Sequence, residues 1–261
     1  MAEHIDGRLY WEQLGKTGHP MVFLHPIPMD NSAWMYQMAH LSTWFRCIGI
    51  DAPGYGRSPT SQPGLTMTDI AQACWEAVDE ITGEPAILVG CSLGSALAWH
   101  MANQRPDRTL AIIVSGASYR PVKPLVHQRV PTYQERGLEF RYQHALEDYS
   151  PAFRETELGQ YFARTLAERN PWADLSTILE VFHAANIPDP EWFHTGVRAP
   201  ALIISGSLDN AHQGAFALEA RVPNCELVTI EGAGHACNME KPWEWDAHCL
   251  AFLKKRGLLS G

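Results

Sequence analysis

Ser92 lies between two glycines, at a point where the character of the sequence changes. The residues before it, Ala86–Gly90, form an apolar, strand-like run, and Ser92–Arg105 has a helical pattern of small and apolar residues. Glycines at positions 90 and 94 allow a sharp strand-to-helix turn, which lifts the serine hydroxyl above the sheet. The N-terminus of the following helix favours developing negative charge. The pattern predicts Ser92 as a catalytic nucleophile; the alternative is a glycine-rich connection in which Ser92 only caps a helix.

A serine nucleophile needs a base and a carboxylate, and the chain has candidates for both just after strand-like runs. His235 follows Leu227–Ile230 in a glycine-bearing loop, which favours it among the twelve histidines, with His212 as a weaker rival. Asp209 follows the apolar run Ala201–Ser205. The histidine would take the serine proton, and the aspartate would orient the imidazole and stabilise its cation. The alternatives are a surface-loop histidine and an aspartate that caps a turn.

These three residues need a sheet that brings the ends of distant strands together. Strand-like runs alternate with helical patterns along most of the chain, and several runs are continuously apolar, as is typical of parallel strands covered on both faces. The strand-like runs are Leu9–Gln13 (the weakest), Met21–His25, Cys47–Ile50, Ala86–Gly90, Leu110–Ser115, Ala201–Ser205 and Glu226–Ile230. The helical patterns are Thr68–Ile81, Ser92–Arg105 and Trp243–Lys254. This order predicts an α/β fold with a doubly wound, mostly parallel sheet and a ligand site at the carboxyl ends of its strands.

Four motifs occur in the same order as in a known family. Besides the Gly-x-Ser-x-Gly turn they are His25-Pro26-Ile27-Pro28, Asp51-Ala52-Pro53-Gly54-Tyr55-Gly56-Arg57-Ser58, and Gly234-His235 with Glu240 and Pro242 following. On these motifs nearly the whole chain resembles the α/β-hydrolase superfamily. The resemblance implies a sheet of about eight strands and a triad in the order serine, aspartate, histidine. It also implies that residues 25–28 form the oxyanion loop, although the family usually has glycine where Pro26 stands.

The oxyanion that forms during acyl transfer is usually held by two backbone N–H groups. The first predicted donor is Leu93, directly after the nucleophile. Pro26 and Pro28 have no N–H, so Ile27 is the only donor within the Pro-Ile-Pro step and becomes the second predicted donor. The predicted oxyanion hole therefore consists of the backbone N–H groups of Ile27 and Leu93.

The alternation of strands and helices stops between residues 119 and 197. We expect residues 1–118 and 198–261 to form the core domain and residues 119–197 to form a helical cap inserted between two strands. The helix-like stretches of this segment are Glu135–Leu146, Thr156–Ala167 and Leu175–Phe182. Such a cap would mainly shape the substrate pocket. Its candidate polar groups are His127, Arg129, Arg141 and His144, of which the two arginines could bind a carboxylate.

Three functions fit these residues. The resemblance is to small-molecule esterases, enol-lactonases and carbon–carbon bond hydrolases, and we expect a serine hydrolase that cleaves a small carboxylic ester or lactone through an acyl-serine. The first alternative is hydrolysis of carbon–carbon bonds in diketo acids, which needs a polar cap residue to steer ketonisation. The second is a small-molecule receptor that keeps a triad with little turnover. Repeated cleavage of a short-chain aryl ester would distinguish an enzyme from such a receptor.

Charge and composition disfavour several other partners. The formal net charge of −9 argues against nucleic acid, which needs a basic surface. No run approaches the roughly 18 apolar residues of a membrane helix, and the first residues lack a signal-peptide pattern. Six cysteines without a C-x-x-C pair predict reduced thiols in a cytoplasmic protein. Metal-ligand spacing and a dinucleotide-binding motif are also missing. We therefore expect a small-molecule substrate, no cofactor, no metal and no membrane partner, and leave a homo-oligomer open.

Overall fold

The candidate catalytic residues lie at the ends of strands that belong to one sheet. The structure, a computed structural model, describes residues 4–119, 124–190 and 192–259, and of residues 124–128 only the backbone. Within these residues the sheet has seven strands, against about eight expected. They are β1 (Trp11–Leu14), β2 (Pro20–Leu24), β3 (Arg46–Ile50), β4 (Ala86–Cys91), β5 (Thr109–Ser115), β6 (Ala201–Gly206) and β7 (Cys225–Ile230). The predicted fold class is confirmed.

The order of the strands creates a crevice at the predicted site. From edge to edge the order is β1-β3-β2-β4-β5-β6-β7, with β1 antiparallel to β3 and the other pairs parallel. The chain moves from β2 outwards to β3 and then crosses back to β4, so the direction of winding reverses between β2 and β4. Ligands of such sheets bind at the carboxyl ends of the strands where this reversal occurs. The segments that follow β2 and β4 carry Ile27 and Ser92.

Helices cover both faces of the sheet, which explains the continuously apolar strands. The helices are α1 (Met35–Leu41), α2 (Met67–Ile81), α3 (Leu93–Gln104), α4 (Pro124–Arg136), α5 (Phe140–Asp148), α6 (Pro151–Arg154), α7 (Glu157–Glu168), α8 (Leu175–Asn186), α9 (His212–Glu219), α10 (Cys237–Glu240) and α11 (Pro242–Lys255). Side chains alternate between the faces along β2. Val22 and Leu24 belong to the core that includes α2 and α3, whereas Met21 and Phe23 belong to the core that includes α1 and α11.

The segment between β5 and β6, called the insertion below, contains helices α4–α8 in its described part. The single helix predicted over Glu135–Leu146 is wrong, because the chain turns at Gly137. This glycine has a φ of 61°, a conformation that favours glycine, and Gly137–Glu139 form a short 3₁₀ turn. As a result α4 ends before the turn and α5 begins after it. None of the helices in the described parts of the chain has the length and apolar character needed to cross a bilayer.

Candidate active site

Ser92 lies on a sharp turn between β4 and α3. Its φ of 54° is uncommon for a residue with a side chain and places it in a sparsely populated conformation. The flanking glycines are required by close contacts: a Cβ on Gly90 would collide with the carbonyl oxygen of Gly94, and a Cβ on Gly94 with that of Leu24. The N–H of Ser92 donates to the carbonyl of Ser115, the last residue of β5, at 2.9 Å. Residues 90–94, called the elbow below, therefore depend on backbone-to-backbone packing on both sides of the serine.

His235 and Asp209 are brought together by the ends of β7 and β6. Nδ1 of His235 lies 2.8 Å from Oδ1 of Asp209, whose side chain is 1% exposed and also accepts the N–H of Ala211 at 2.8 Å. Because Nδ1 donates to the carboxylate, the neutral ring has its lone pair on Nε2, where a base needs it. Burial by itself lowers the pKa of His235, but the Asp209 carboxylate outweighs burial and raises that pKa above its ordinary value.

The imidazole of His235 lies against Gly116, the first residue after β5. A Cβ on Gly116 would lie 2.7 Å from Cε1 and 3.0 Å from Nε2 of the ring. Its neighbour Ser115 is the residue whose carbonyl accepts the N–H of Ser92. Glycine at position 116 therefore leaves room for the ring beside the strand end to which the elbow is hydrogen-bonded.

Residues 231–236, called the histidine loop below, are hydrogen-bonded to the insertion. The carbonyl of Asp148, at the end of α5, accepts the N–H of His235 at 2.8 Å. Oε1 of Glu240 accepts the N–H of Gly234 at 2.9 Å and that of Ser150 at 3.0 Å. Glu240, which belongs to the last of the four motifs of the family resemblance, thus joins the histidine loop to the residues that follow α5.

Residues 25–31, called the 25–31 loop below, are held by a buried histidine. His25 is 1% exposed; its Nε2 accepts the N–H of Ala52 at 2.9 Å, so its Nδ1 carries the proton and donates to the Pro26 carbonyl at 3.0 Å. The same carbonyl accepts the N–H of Met29 at 2.9 Å. In a trans peptide the C=O and N–H point in opposite directions. The N–H of Ile27, which shares a peptide with this carbonyl, therefore points away from His25.

A cavity of about 260 Å³ opens beside these elements. Ser92 and His235 line it, as do both predicted oxyanion donors, Ile27 and Leu93. Leu93 is the first residue of α3, and N–H groups in the first turn of a helix have no carbonyl partner within it. The apolar part of the lining includes Ala96, Trp99, Ala117, Phe182, Ala185 and Phe193. The cavity can therefore hold an apolar group next to the serine hydroxyl.

A charged cluster lines another part of the cavity. Arg129 donates to Glu147 at 2.8 Å and to Asp148 at 3.4 Å, and Asp148 lies 3.7 Å from Nε2 of His144. Nδ1 of His144 lies 2.9 Å from the hydroxyl of Tyr133. Burial raises the pKa of Asp148 to about 6 and lowers that of His144 well below its ordinary value. At neutral pH the imidazole of His144 is therefore neutral and the carboxyl of Asp148 is mostly ionised.

Of the four polar groups predicted from the insertion, two line the cavity: Arg129 and His144. Arg141 has a different position, because its side chain is buried and two of its nitrogens donate to the carbonyl of Pro28. It is thus engaged with the 25–31 loop and does not line the cavity, so its position does not support the carboxylate-binding role that the sequence left open. The side chain of His127 lies outside the described residues.

Three contacts that hold the site were not predicted from the sequence: those of His25, Arg141 and the Asp148 carbonyl. For α5 the signal was present. Its buried residues, Phe140, Arg141, His144, Ala145 and Asp148, form a stripe at helical spacing in which three of five side chains are polar. Polar groups on the buried face of an amphipathic helix need partners, so the stripe indicates specific contacts beneath the helix. One partner of Arg141, the Pro28 carbonyl, is 113 residues away in sequence.

Asp51, which also follows a strand, and His212, the weaker rival for the base, have structural partners. Asp51 accepts the N–H groups of Asn31 at 2.8 Å and Arg57 at 3.0 Å, which orders two loops. Nδ1 of His212 lies 3.0 Å from the hydroxyl of Ser205. Among the residues that the structure describes, no group of three or more His, Cys, Asp or Glu side chains is arranged to hold a metal ion.

Comparison with known proteins places the chain in a family. Residues 21–245 match the family model described as the alpha/beta hydrolase family. The pimeloyl-(acyl-carrier protein) methyl ester esterase of Cronobacter sakazakii is 29% identical over 95% of this chain and 97% of its own. The structure is similar to that of an enol-lactonase from Burkholderia xenovorans (TM-score 0.85, 20% identity, 96% and 98% of the two chains). It is also similar to a thermophilic esterase from Thermogutta terrifontis (TM-score 0.82, 23% identity, 95% and 93%).

The family match extends over well more than half of the chain and includes the elbow, Asp209 and His235. The protein therefore belongs to the α/β-hydrolase family of enzymes.

Proposed function

We propose that this protein is a serine hydrolase that cleaves a small-molecule carboxylic ester or lactone through an acyl-serine intermediate. Ser92 is the nucleophile, His235 the base and Asp209 the acid, and the backbone N–H groups of Ile27 and Leu93 form the oxyanion hole. The observation that carries the proposal is the 2.8 Å contact between His235 Nδ1 and Asp209 Oδ1, on a ring that lines the same cavity as a serine with a φ of 54°.

The first half of the reaction transfers the acyl group to the enzyme. Ser92 Oγ attacks the carbonyl carbon of the substrate while its proton passes to Nε2 of His235, and the carbonyl oxygen becomes an oxyanion. The N–H groups of Ile27 and Leu93 stabilise that charge. When the intermediate collapses, the bond to the alcohol oxygen breaks, and His235 returns its proton to this oxygen. The alcohol leaves and an acyl-serine remains.

The second half repeats these steps with water. His235 takes a proton from water as the water oxygen attacks the acyl carbon, and the same two N–H groups hold the second oxyanion. Collapse breaks the bond to Ser92 Oγ, which regains its proton from His235. One ester and one water thus give one acid and one alcohol, and with a lactone both groups belong to one product molecule.

The cavity supports a small, largely uncharged substrate. Its volume of about 260 Å³ and its apolar lining suit a short acyl or aryl group. Its lining includes one guanidinium, that of Arg129, and four carboxyls, those of Glu147, Asp148, Asp189 and Asp209, besides the imidazole of His235. A substrate with further negative charge would be repelled there. We also propose that residues 119–197 act as a cap, because the insertion supplies much of this lining.

Covalent labelling tests the proposal. An alkyl fluorophosphonate should modify the wild-type protein on Ser92, and wild-type enzyme should cleave an aryl acetate repeatedly. Ser92→Ala and His235→Ala should each lose activity by a factor of about 10⁶, since the parts of a triad act as a unit. Ser42→Ala is the control, because Ser42 is half-buried, lies outside the cavity lining and donates its hydroxyl to the nearby Ala39 carbonyl. Turnover that persists in Ser92→Ala would contradict the proposal, and a single acylation without turnover would favour the receptor.

Hydrolysis of a carbon–carbon bond is a second candidate, because Arg129 and His144 line the cavity and provide polar groups from the insertion. The reaction needs such a group to direct a proton during ketonisation. Incubating wild-type enzyme with an aryl acetate and with a vinylogous diketo acid distinguishes the two candidates. Efficient cleavage of the diketo acid that disappears in Arg129→Ala or His144→Ala would replace ester hydrolysis as the proposed reaction.

A further inference from the structure

Arg141, on α5 in the insertion, is buried under neutral hydrogen-bond acceptors. Its side chain is 1% exposed; Nε and one terminal nitrogen donate to the carbonyl of Pro28 at 3.1 and 2.9 Å, and the other terminal nitrogen donates to Oδ1 of Asn170 at 3.0 Å. Burying a guanidinium is costly, and neutral partners compensate this cost less well than a carboxylate would. The contact therefore contributes little to the stability of the fold. Its role is better explained by the group that it holds in place, the carbonyl of Pro28.

The Pro28 carbonyl lies one residue beyond Ile27, the proposed oxyanion donor. On the other side of Ile27, the Pro26 carbonyl accepts from Nδ1 of His25 and from the N–H of Met29, both within the same loop. The donor N–H thus lies between two carbonyls, one held from within the loop and the other by Arg141. Because peptide units are planar and the proline rings restrict φ, fixing both carbonyls leaves the Ile27 N–H little freedom to turn.

A second arginine of the insertion also donates hydrogen bonds to the same loop. Arg169, directly after α7, donates to Oδ1 of Asp30 at 2.6 Å and to the hydroxyl of Ser32 at 2.8 Å. The next residue, Asn170, is the one that accepts from Arg141 and also donates to the carbonyl of Leu138 at 3.0 Å. Two helices of the insertion therefore hold the 25–31 loop through one connected set of hydrogen bonds.

We propose that Arg141 is a positioning residue for the oxyanion hole: by holding the Pro28 carbonyl, it keeps the Ile27 N–H aimed at the developing oxyanion. The inference rests on the proposed serine-hydrolase function. It also changes the role expected of the insertion, because a residue outside the cavity lining then affects the chemical step itself. Small activated esters, whose cleavage makes little demand on pocket shape, should be affected as much as larger ones.

The test compares Arg141→Met, which keeps the length and removes the donors, with Arg141→Lys, which keeps a charge and a donor. Aryl acetate kinetics are normalised to sites counted with fluorophosphonate. We expect kcat per labelled site to fall about 10- to 100-fold in Arg141→Met with little change in KM, since a displaced donor costs somewhat less than a deleted one. Arg141→Lys should recover part of the loss. Arg136→Met, an exposed arginine that contacts Gln143, is the matched control and should keep wild-type kcat.

A transition-state analogue separates positioning from a merely structural role. An aryl boronic acid forms a tetrahedral adduct with one oxygen in the oxyanion hole, whereas the product carboxylic acid forms no such adduct. The boronic acid should bind Arg141→Met more weakly by about the factor lost in kcat/KM, and the affinity for the acid should change little. Unchanged kcat per labelled site, or a loss confined to KM, would overturn the proposal.

The remaining outcomes are also informative. If Arg141→Met does not fold, Asn170→Ala provides a milder test, because it removes an acceptor that orients the guanidinium on the Pro28 carbonyl. It should then show a smaller selective loss in kcat and boronic acid affinity, and wild-type values in this variant would count against the proposal. Wild-type protein that is not labelled on Ser92 contradicts the proposed function itself, whereas labelled wild-type protein with an unaffected Arg141→Met contradicts only the role of Arg141.

Discussion

The elbow and the 25–31 loop face the same cavity but are built in opposite ways. The elbow is formed by five consecutive residues, and its tightest contacts are those of Gly90 with Gly94 and of Gly94 with Leu24 in the neighbouring strand. The 25–31 loop is held from far away in sequence. Its contacts span 27 residues for His25 and Ala52, 113 for Arg141 and Pro28, and 139 for Arg169 and Asp30.

In the proposed reaction, this difference separates two requirements. Ser92, the proposed nucleophile, has a positive φ, which the close packing around Gly90 and Gly94 supports. The imidazole of His235 and the N–H of Ile27, the second proposed oxyanion donor, come from other parts of the chain and must be oriented towards Ser92. The histidine loop follows the second principle, because the carbonyl of Asp148 in the insertion accepts the N–H of His235. We therefore expect substitutions at the elbow to act through local backbone collisions and substitutions in the remotely held loops to act through orientation.

The largest effect on kcat is expected at the contact between the proposed base, His235, and the proposed acid, Asp209. Asp209→Asn should keep the fold and lower kcat by about 10⁴-fold, because the amide favours the wrong imidazole tautomer. Asp51→Asn is the comparison: Asp51 is also buried after a strand end, but it accepts backbone N–H groups of Asn31 and Arg57. Its substitution should lower stability more than kcat. Steady-state kinetics with urea denaturation checks both, and a selective loss of kcat in Asp51→Asn alone would reverse the assignment.

At the elbow, a single methyl group should be enough to disrupt catalysis. Gly94→Ala places a Cβ against the Leu24 carbonyl oxygen, a backbone atom that cannot move aside without shifting β2. We expect a loss of stability of about 1–3 kcal/mol and a fall in kcat of about 100-fold as Ser92 is displaced. Gly83→Ala is the matched control, since a Cβ there has nothing within 4 Å. Equal behaviour of the two variants in denaturation and kinetics would show that the elbow is not built by close packing.

Orientation of the imidazole can be perturbed without touching the triad. In Gly116→Ala the new Cβ would lie 2.7 Å from Cε1 of His235, so the ring must move. Gly137→Ala carries the same backbone penalty, because the φ values are 59° and 61°, but its Cβ has nothing within 4 Å. Both variants should lose roughly 1 kcal/mol of stability, and only Gly116→Ala should lose kcat, by about 10-fold. A similar kcat for the two variants would mean that the ring tolerates displacement.

The contrast between the elbow and the remotely held loops also explains how much of the fold and of the site could be predicted from the sequence. Short sequence patterns next to strand ends predict three features. These are the elbow, the alternation of strands and helices along the chain, and the pairing of Asp209 with His235. The 113-residue contact of Arg141 with Pro28 leaves no local trace beyond a polar residue on the buried face of α5. For that reason the sequence does not place Arg141, whose guanidinium is engaged with the 25–31 loop.

The end of α4 at Gly137 illustrates a second limit of prediction from the sequence. The residues from Glu135 to Leu146 have good helical character, and one glycine within such a run costs only about 1 kcal/mol in a continuous helix. The pattern therefore predicts one helix. The chain instead uses the positive φ open to glycine to turn, which directs α5 and its polar stripe onto the 25–31 and histidine loops. Tertiary contacts of Arg141 and Asp148 thus decided between two local structures that the sequence alone leaves nearly equal.

The smallest predicted effect concerns the charge beside the histidine loop. Asp148→Asn keeps the backbone carbonyl that accepts the N–H of His235 and removes only the carboxylate, which helps to raise the pKa of His235. The imidazole of the variant should therefore lose its proton at lower pH. Because the free base is the active form, the acid limb of kcat/KM should shift to lower pH, with the plateau close to that of wild type. A limb that stays in place would show that the Asp148 charge does not reach the catalytic ring.

The same substitution should also change how the stability of the fold depends on pH. Burial raises the pKa of Asp148 from 3.8 to about 6, so the folded protein binds this proton more tightly than the unfolded chain does. Its contribution is then fully favourable below about pH 4 and is lost as pH rises to about 6, by at most about 3 kcal/mol. As pH rises from 4 to 7, the free energy of unfolding of wild type should therefore fall relative to that of Asp148→Asn. Loss of the Arg129 contact in the variant would add an offset at both pH values, which the difference between them removes. Urea midpoints measured at the two pH values give this difference, and parallel pH profiles for the two proteins would mean that Asp148 is solvated and does not sense the buried site.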